Sequence, residues 1–172
     1  GIPVTILREA RNPVDIPWRD YNVDLVVDCT GKFKDPTVQP DDSKGSIRGH
    51  LVKGAKAVIN SSAFKIKNKA LSTPADCVTL IYGINHSAFD QKKHQIVSAA
   101  SCTTTGLAHM VKPLLENEKT NTILTASMST VHAVTNSQSV LDSVPKAGEK
   151  DLRKNRSILN NIILTSTNAA EA

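Results

Sequence analysis

The chain has 172 residues, 40% of them apolar and 22% charged, with a net charge of +5. That is the composition of an ordinary soluble globular protein. No apolar run approaches the roughly 18–20 residues of a membrane helix, and aromatic residues, at 3%, are too few for a stacking platform on single-stranded nucleic acid.

The basic balance suits phosphorylated substrates or a polyanion, and equally a basic protein of no special partner. Cys29, Cys77 and Cys102 are widely spaced and form no C-x-x-C pair, so no zinc knuckle, disulfide framework or other metal site is indicated. Gly1-Ile2-Pro3-Val4 has neither the basic nor the apolar region of a signal peptide, and a cytoplasmic protein is the expectation. The opening without Met and the helix-like ending at residues 168–172 suggest a fragment of a longer polypeptide.

In chain order, residues 3–7 (PVTIL) read as a strand, ended by Asn12-Pro13 and Ile16-Pro17. Residues 24–29 (DLVVDC) form a continuous apolar run before Thr30-Gly31, as in a buried parallel strand followed by a tight turn. Residues 36–53 contain a helix with Ile47 and Leu51 on its apolar side and Gly54 at its end. Residues 57–60 (AVIN), 78–84 (VTLIYGI) and 95–99 (QIVSA) read as three further strands. The order points to a parallel α/β sheet. From Cys102 to Glu118, Leu107, Met110, Val111, Leu114 and Leu115 recur with helical period in spite of Pro113. Residues 120–135, rich in Thr, Ile and Val, read as a long strand, and residues 136–156 as a polar, basic loop. A domain boundary falls just before Cys102.

The sharpest local feature is Ser98 to Thr105 (SAASCTTT), where a thiol follows a strand at the start of a helix. A helix N-terminus lowers a thiol's pKa and attracts anions. The same pattern is met by Ser101 as a simple cap and Cys102 as a small packed residue, and the local sequence leaves both open. His132, inside VHAVT, is either a structural histidine or the base of a Cys–His pair. His50, His86, His94 and His109 lie among charged or turn residues.

Taken together, SAASCTT (98–104), STVHAVTNSQ (129–138), KDLRKNR (150–156) and STNAA (166–170) resemble phosphorylating glyceraldehyde-3-phosphate dehydrogenases. VVDCTGKF (26–33), KGAKAVINSSA (53–63) and YGINHSAFD (82–90) match the same family in the same order. The resemblance implies an α/β fold, with residues 1–101 as the C-terminal part of a Rossmann-type NAD-binding domain and 102–172 as the start of an α+β catalytic domain. It implies oxidation of glyceraldehyde 3-phosphate to 1,3-bisphosphoglycerate with NAD and inorganic phosphate, in a cytoplasmic homotetramer needing neither membrane nor nucleic acid. Cys102 matches the nucleophile and His132 the base. Ser101, Thr103 and Thr167 match positions for the attacking phosphate, and Thr135 one for the substrate phosphate. Thr30, Gly31, Ser61 and Asn136 match cofactor-proximal positions.

Departures bear on the phosphate sites. Lys154 stands where the family has an Arg, keeping the charge but not the bidentate fork. Asn168 stands where Gly is usual, Thr105-Gly106 replace Asn-Cys, and both the Cys102–His132 interval and residues 140–150 run long. The G-x-G-x-x-G turn and the acidic ribose-reading residue are not in the sequence, so NADP is not excluded. An erythrose 4-phosphate dehydrogenase and a non-catalytic binding paralogue are the alternatives.

Overall fold

The computed structural model describes residues 1–8, 10–135, 138–165, 167 and 169. The chain divides into two compact units, Gly1–Thr122 with Asn168–Ala172, and Ile123–Thr167.

The first unit is built on four parallel strands, β1 (Leu25–Asp28), β2 (Ala57–Asn60), β3 (Cys77–Thr79) and β4 (Ile96–Ser98), in the order β1-β2-β4-β3. The helices are α1 (Arg48–Val52) and α2 (Cys102–Glu116). The register aligns Val26, Val58, Ile96 and Cys77 in one row across the sheet. All four are buried, and with Ile47 and Ala55 they form the core, against which Trp18, Val23, Phe33, Leu51 and Phe64 pack. Two residues further along β1, β2 and β4, on the same face, lie Asp28, Asn60 and Ser98, also buried. The core is therefore apolar at mid-sheet and polar at the strands' C-terminal ends.

DLVVDC is not buried on both faces. Val26 and Asp28 point into the core, whereas Leu25 and Val27 are 50% and 57% exposed. A pleated strand alternates its faces, so a continuous apolar run does not by itself show that both are covered.

The helix expected over 36–53 shrinks to Arg48–Val52. Upstream, side chains capture the backbone in turns: Asp35 Oδ1 accepts from the Thr37 N–H and hydroxyl, Asp42 Oδ1 accepts from Lys44 N–H, and Ser46 Oγ donates to Val38 C=O. Short polar side chains offer the backbone such alternatives to a helix. The end of α1 follows expectation: Gly54, at φ +116°, donates to Leu51 C=O and Ala55 to His50 C=O, a Schellman closure that favours glycine. Arg48 ties α1 to the start of β3 through a bidentate pair with Asp76, both bonds 2.9 Å.

Residues 3–7 and 120–135 form no strand. Both have β propensity, but a strand exists through its ladder, and no ladder forms at either segment. The strand expected over 78–84 is Cys77–Thr79, after which Asn85 holds a turn by accepting from Ile81 N–H and donating to Thr79 C=O. In the second unit the described residues are irregular apart from a 3₁₀ turn at Leu152–Asn155.

Candidate functional site

Three adjacent strands end in the same way. Asp28 Oδ1 accepts from Thr30 N–H at 2.8 Å, Asn60 Oδ1 from Ser62 N–H at 3.0 Å, and Ser98 Oγ from Ala100 N–H at 3.1 Å. Each is a buried polar side chain bonding the backbone two residues on, which turns the chain sharply out of the sheet. The turns are also stitched to one another: Ser61 N–H donates to Asp28 C=O, Ala99 N–H to Asn60 C=O, and Ser98 Oγ to Ser62 C=O. The carboxyl edge of β1, β2 and β4 is thus one connected polar rim, the edge where parallel α/β sheets bind ligands.

Thr30, Gly31 and Ser61 lie on this rim and are exposed. The Thr30 hydroxyl also donates to Asp28 Oδ1, at 2.6 Å. Gly31 has φ +66°, and a Cβ added there would meet only Ser62 Oγ, at 3.9 Å, so the glycine serves the turn rather than a tight packing contact.

From β4 the rim leads into α2. Buried Ala100 adopts φ +58°, a left-handed conformation uncommon for a residue with a Cβ, and this reverses the chain into the helix. Ser101 is the N-cap, its Oγ accepting from Thr104 N–H at 3.0 Å. The two hydroxyl oxygens are 2.7 Å apart, and Thr104 Oγ1 donates on to Ala169 C=O at 2.9 Å. Ser101 therefore caps the helix, while Cys102, the first helical residue, is exposed and not a packed core residue. Thr103 follows it in the first turn, half-buried. A 15-residue helix directs the positive end of its dipole at this position. Cys77 is the contrasting thiol: burial, then the neighbouring Asp76 carboxylate, push it up to about 12, where it is inert near neutrality.

His132, Thr135 and Thr167 belong to the second unit and are exposed. His132 Nδ1 lies 2.6 Å from Ala133 C=O; a carbonyl can only accept, so this nitrogen carries the ring proton and Nε2 is the basic atom of the neutral ring. Thr135 N–H donates to Gln138 Oε1 at 3.0 Å. Asn136 and Asn168 lie outside the described residues.

Sequence reasoning missed the buried groups beneath the rim. His50 does not sit in a polar turn. It lies in α1, 5% exposed, accepting at Nδ1 from Trp18 Nε1–H at 2.9 Å and facing Asp28 Oδ2 with Nε2 at 3.6 Å. Burial raises the Asp28 carboxyl, but His50 and both bonds from Thr30 outweigh it and hold the group below the usual carboxylate value. The spacing D-x-T, N-x-S and S-x-A after three apolar runs was the available signal for the rim. Nothing local marks His50 or Trp18.

A parallel sheet with flanking helices, its polar carboxyl edge leading into a helix that opens on an exposed thiol, defines a Rossmann-derived α/β fold. The family model described as glyceraldehyde 3-phosphate dehydrogenase, C-terminal domain, matches residues 101–172. Over 97% of its length the chain is 39% identical to glyceraldehyde-3-phosphate dehydrogenase 2 of Bacillus subtilis, of which it covers 42%. It is 39% identical over its full length to the glyceraldehyde-3-phosphate dehydrogenase of Streptomyces coelicolor, covering 44% of it. Against that of Chlamydia pneumoniae it is 41% identical over 94% of its length, covering 42%. The chain is homologous to glyceraldehyde-3-phosphate dehydrogenases over nearly its whole length, and spans about two fifths of the length of these curated relatives.

Proposed function

We propose that the natural polypeptide carrying this chain is a phosphorylating glyceraldehyde-3-phosphate dehydrogenase of glycolysis, working as a homotetramer. The observation that carries the reading is Cys102, an exposed thiol on the first turn of α2 at the carboxyl edge of the sheet, in a chain homologous to these enzymes. The helix dipole favours its thiolate.

The Cys102 thiolate attacks the aldehyde carbon, and the oxyanion formed is stabilised by the backbone N–H at the helix start. His132, through Nε2, takes the thiol proton to leave the thiolate, returns it to the oxyanion to give the thiohemiacetal, and takes the hydroxyl proton again as the hydride leaves. NAD, when bound, supplies the hydride acceptor for this oxidation, which leaves an acyl thioester on Cys102. Inorganic phosphate attacks the thioester carbon, releasing 1,3-bisphosphoglycerate and regenerating the thiolate. Ser101, Thr103 and Thr167 serve the attacking phosphate and Thr135 the substrate phosphate. Thr30, Gly31, Ser61 and Asn136 hold the dinucleotide. The small exposed side chains of Thr30 and Ser61 and the open space beside Gly31 suit its close approach.

The test is NADH formation from glyceraldehyde 3-phosphate, NAD and phosphate by the natural polypeptide. Phosphate-dependent NADH, lost in Cys102→Ser and slowed roughly 10²–10⁴-fold in His132→Asn, is the expected result. A wild-type protein that forms no NADH, or a Cys102→Ser variant that still does, overturns the reading.

A further inference from the structure

We propose that Trp18, His50 and Asp28 form a positioning relay that holds the Thr30–Gly31 turn in shape and thereby sets the affinity of the rim for a dinucleotide. The second part rests on the function proposed above; the first does not.

The relay has a direction fixed by chemistry. An indole N–H can only donate, so the 2.9 Å bond from Trp18 Nε1 makes His50 Nδ1 an acceptor. In the neutral ring the single proton then resides on Nε2, the nitrogen that faces Asp28 Oδ2. At 3.6 Å this approach is an electrostatic contact rather than a full hydrogen bond. Asp28 Oδ2 and His50 Nε2 are both buried and, among the described residues, neither has a hydrogen-bond partner, so each is the other's polar neighbour. With Oδ2 directed to the imidazole, Oδ1 is left to Thr30, accepting from its N–H and its hydroxyl together. The carboxylate cannot rotate without taking one oxygen from the turn or the other from the ring.

Two features mark this as a device acting on the rim rather than a generic polar patch in a core. The other two strand ends hold their turns with neutral groups, Asn60 and Ser98; only β1 uses a charge, and only there does the side chain take two bonds from one turn residue. Also, Trp18 and His50 come from separate segments, one before β1 and one on α1, and His50, bonded by Trp18, faces the last residue of β1. Neither reaches the exposed turn itself. They act on it through Asp28.

The experiment uses 15N NMR of the histidine-labelled natural polypeptide, hydrogen exchange of the peptide covering residues 28–32, and NAD titration. The wild type is expected to show His50 with its proton on Nε2. Trp18→Phe, which removes the N–H and keeps an aromatic ring, is expected to mix the tautomers, speed exchange at the turn about tenfold and weaken NAD about tenfold, with kcat at saturating NAD unchanged. His50→Gln, whose amide can donate to Asp28, is expected to restore most of the affinity that His50→Leu loses. A proton on Nδ1 in the wild type overturns the relay without any variant, as does unchanged exchange in Trp18→Phe. Unchanged NAD affinity in that variant overturns the link to binding. A wild type that binds no dinucleotide defeats the functional reading instead, and the tautomer and exchange results still decide the relay.

Discussion

The two units of the chain are built on different principles. In the first, four strands share one row of buried apolar residues, and the polar groups at the strand ends are bonded over a core. In the second, Leu124, Val131, Val144 and Ile162 are each about nine-tenths exposed, and the described contacts are polar stitches. Arg156 and Ser157 N–H both bond Asp142, Ser143 N–H donates to Asn155 C=O, and Asn155 donates to Glu149. The residues of 120–135 are as β-prone as those of β1 or β2, yet only the latter form strands. Propensity becomes structure where a neighbour completes the ladder and a face is buried.

The largest break of this contrast is a cavity in the first unit. Ile96 is fully buried on β4, between β2 and β3, so Ile96→Ala is expected to cost about 2–5 kcal/mol. Urea unfolding followed by Trp18 fluorescence measures it, and a loss below about 1 kcal/mol would mean the core is not where the packing places it. Next is Gly49→Ala. Helix propensity favours alanine by about 1 kcal/mol, but its Cβ would lie 2.8 Å from Val14 N and 2.9 Å from Pro13 Cβ. The clash is with backbone, which cannot swing aside, so a net destabilisation of about 1–3 kcal/mol is expected, read as a lower urea midpoint. A more stable variant would show that α1 can shift away from residues 13–14.

Acid sharpens the comparison further. In the first unit Asp28, Asp35 and Asp76 are held below the usual carboxylate value; for Asp76 the leading cause is its bonds from Arg48. A group whose pKa is lower folded than unfolded contributes stability that is full above the unfolded value, about 3.9, and is lost as pH falls through the folded one. Stability of the first unit is expected to hold at pH 5 and to fall below about pH 4, with Asp76→Asn flattening the fall. A profile already dropping near pH 6 would point to other groups. The smallest effect belongs to the second unit. Arg156→Gln removes an exposed pair with Asp142 and is expected to cost at most about 0.5–1 kcal/mol, less in high salt. A salt-independent loss of several kcal/mol would show that this unit is more than its surface stitches.

What could be read without the fold was local. Ser101 and Cys102 are neighbours, and the cap and the helix start follow from a few consecutive residues, whereas the exposure of the thiol came from the structure. The same holds for β2, whose AVIN became a strand with unchanged bounds, and for the glycine closing α1. The carboxyl-edge rim was half legible: Thr30-Gly31 was readable as a turn, but not that Asp28 would hold it with both donors of one threonine.

The remainder required the chain to meet itself. Ile47 and Leu51 have the apolar spacing of a helix, yet upstream of them Asp35, Asp42 and Ser46 bond nearby backbone in turns, a competition whose outcome depends on the packing around it. DLVVDC reads the same whether one face is covered or two. Trp18, Asp28 and His50 are far apart in sequence and share no motif. By itself the sequence determined the parallel α/β class and the helix that begins at Cys102, because these rest on periodicity and adjacent residues, and it carried the family resemblance through short motifs in a fixed order. Only the tertiary structure decided which strand faces are buried, that residues 120–135 form no ladder, and that an indole, an imidazole and a carboxylate meet under one turn. Burial and long-range hydrogen bonds depend on what is brought alongside, and no single segment carries that information.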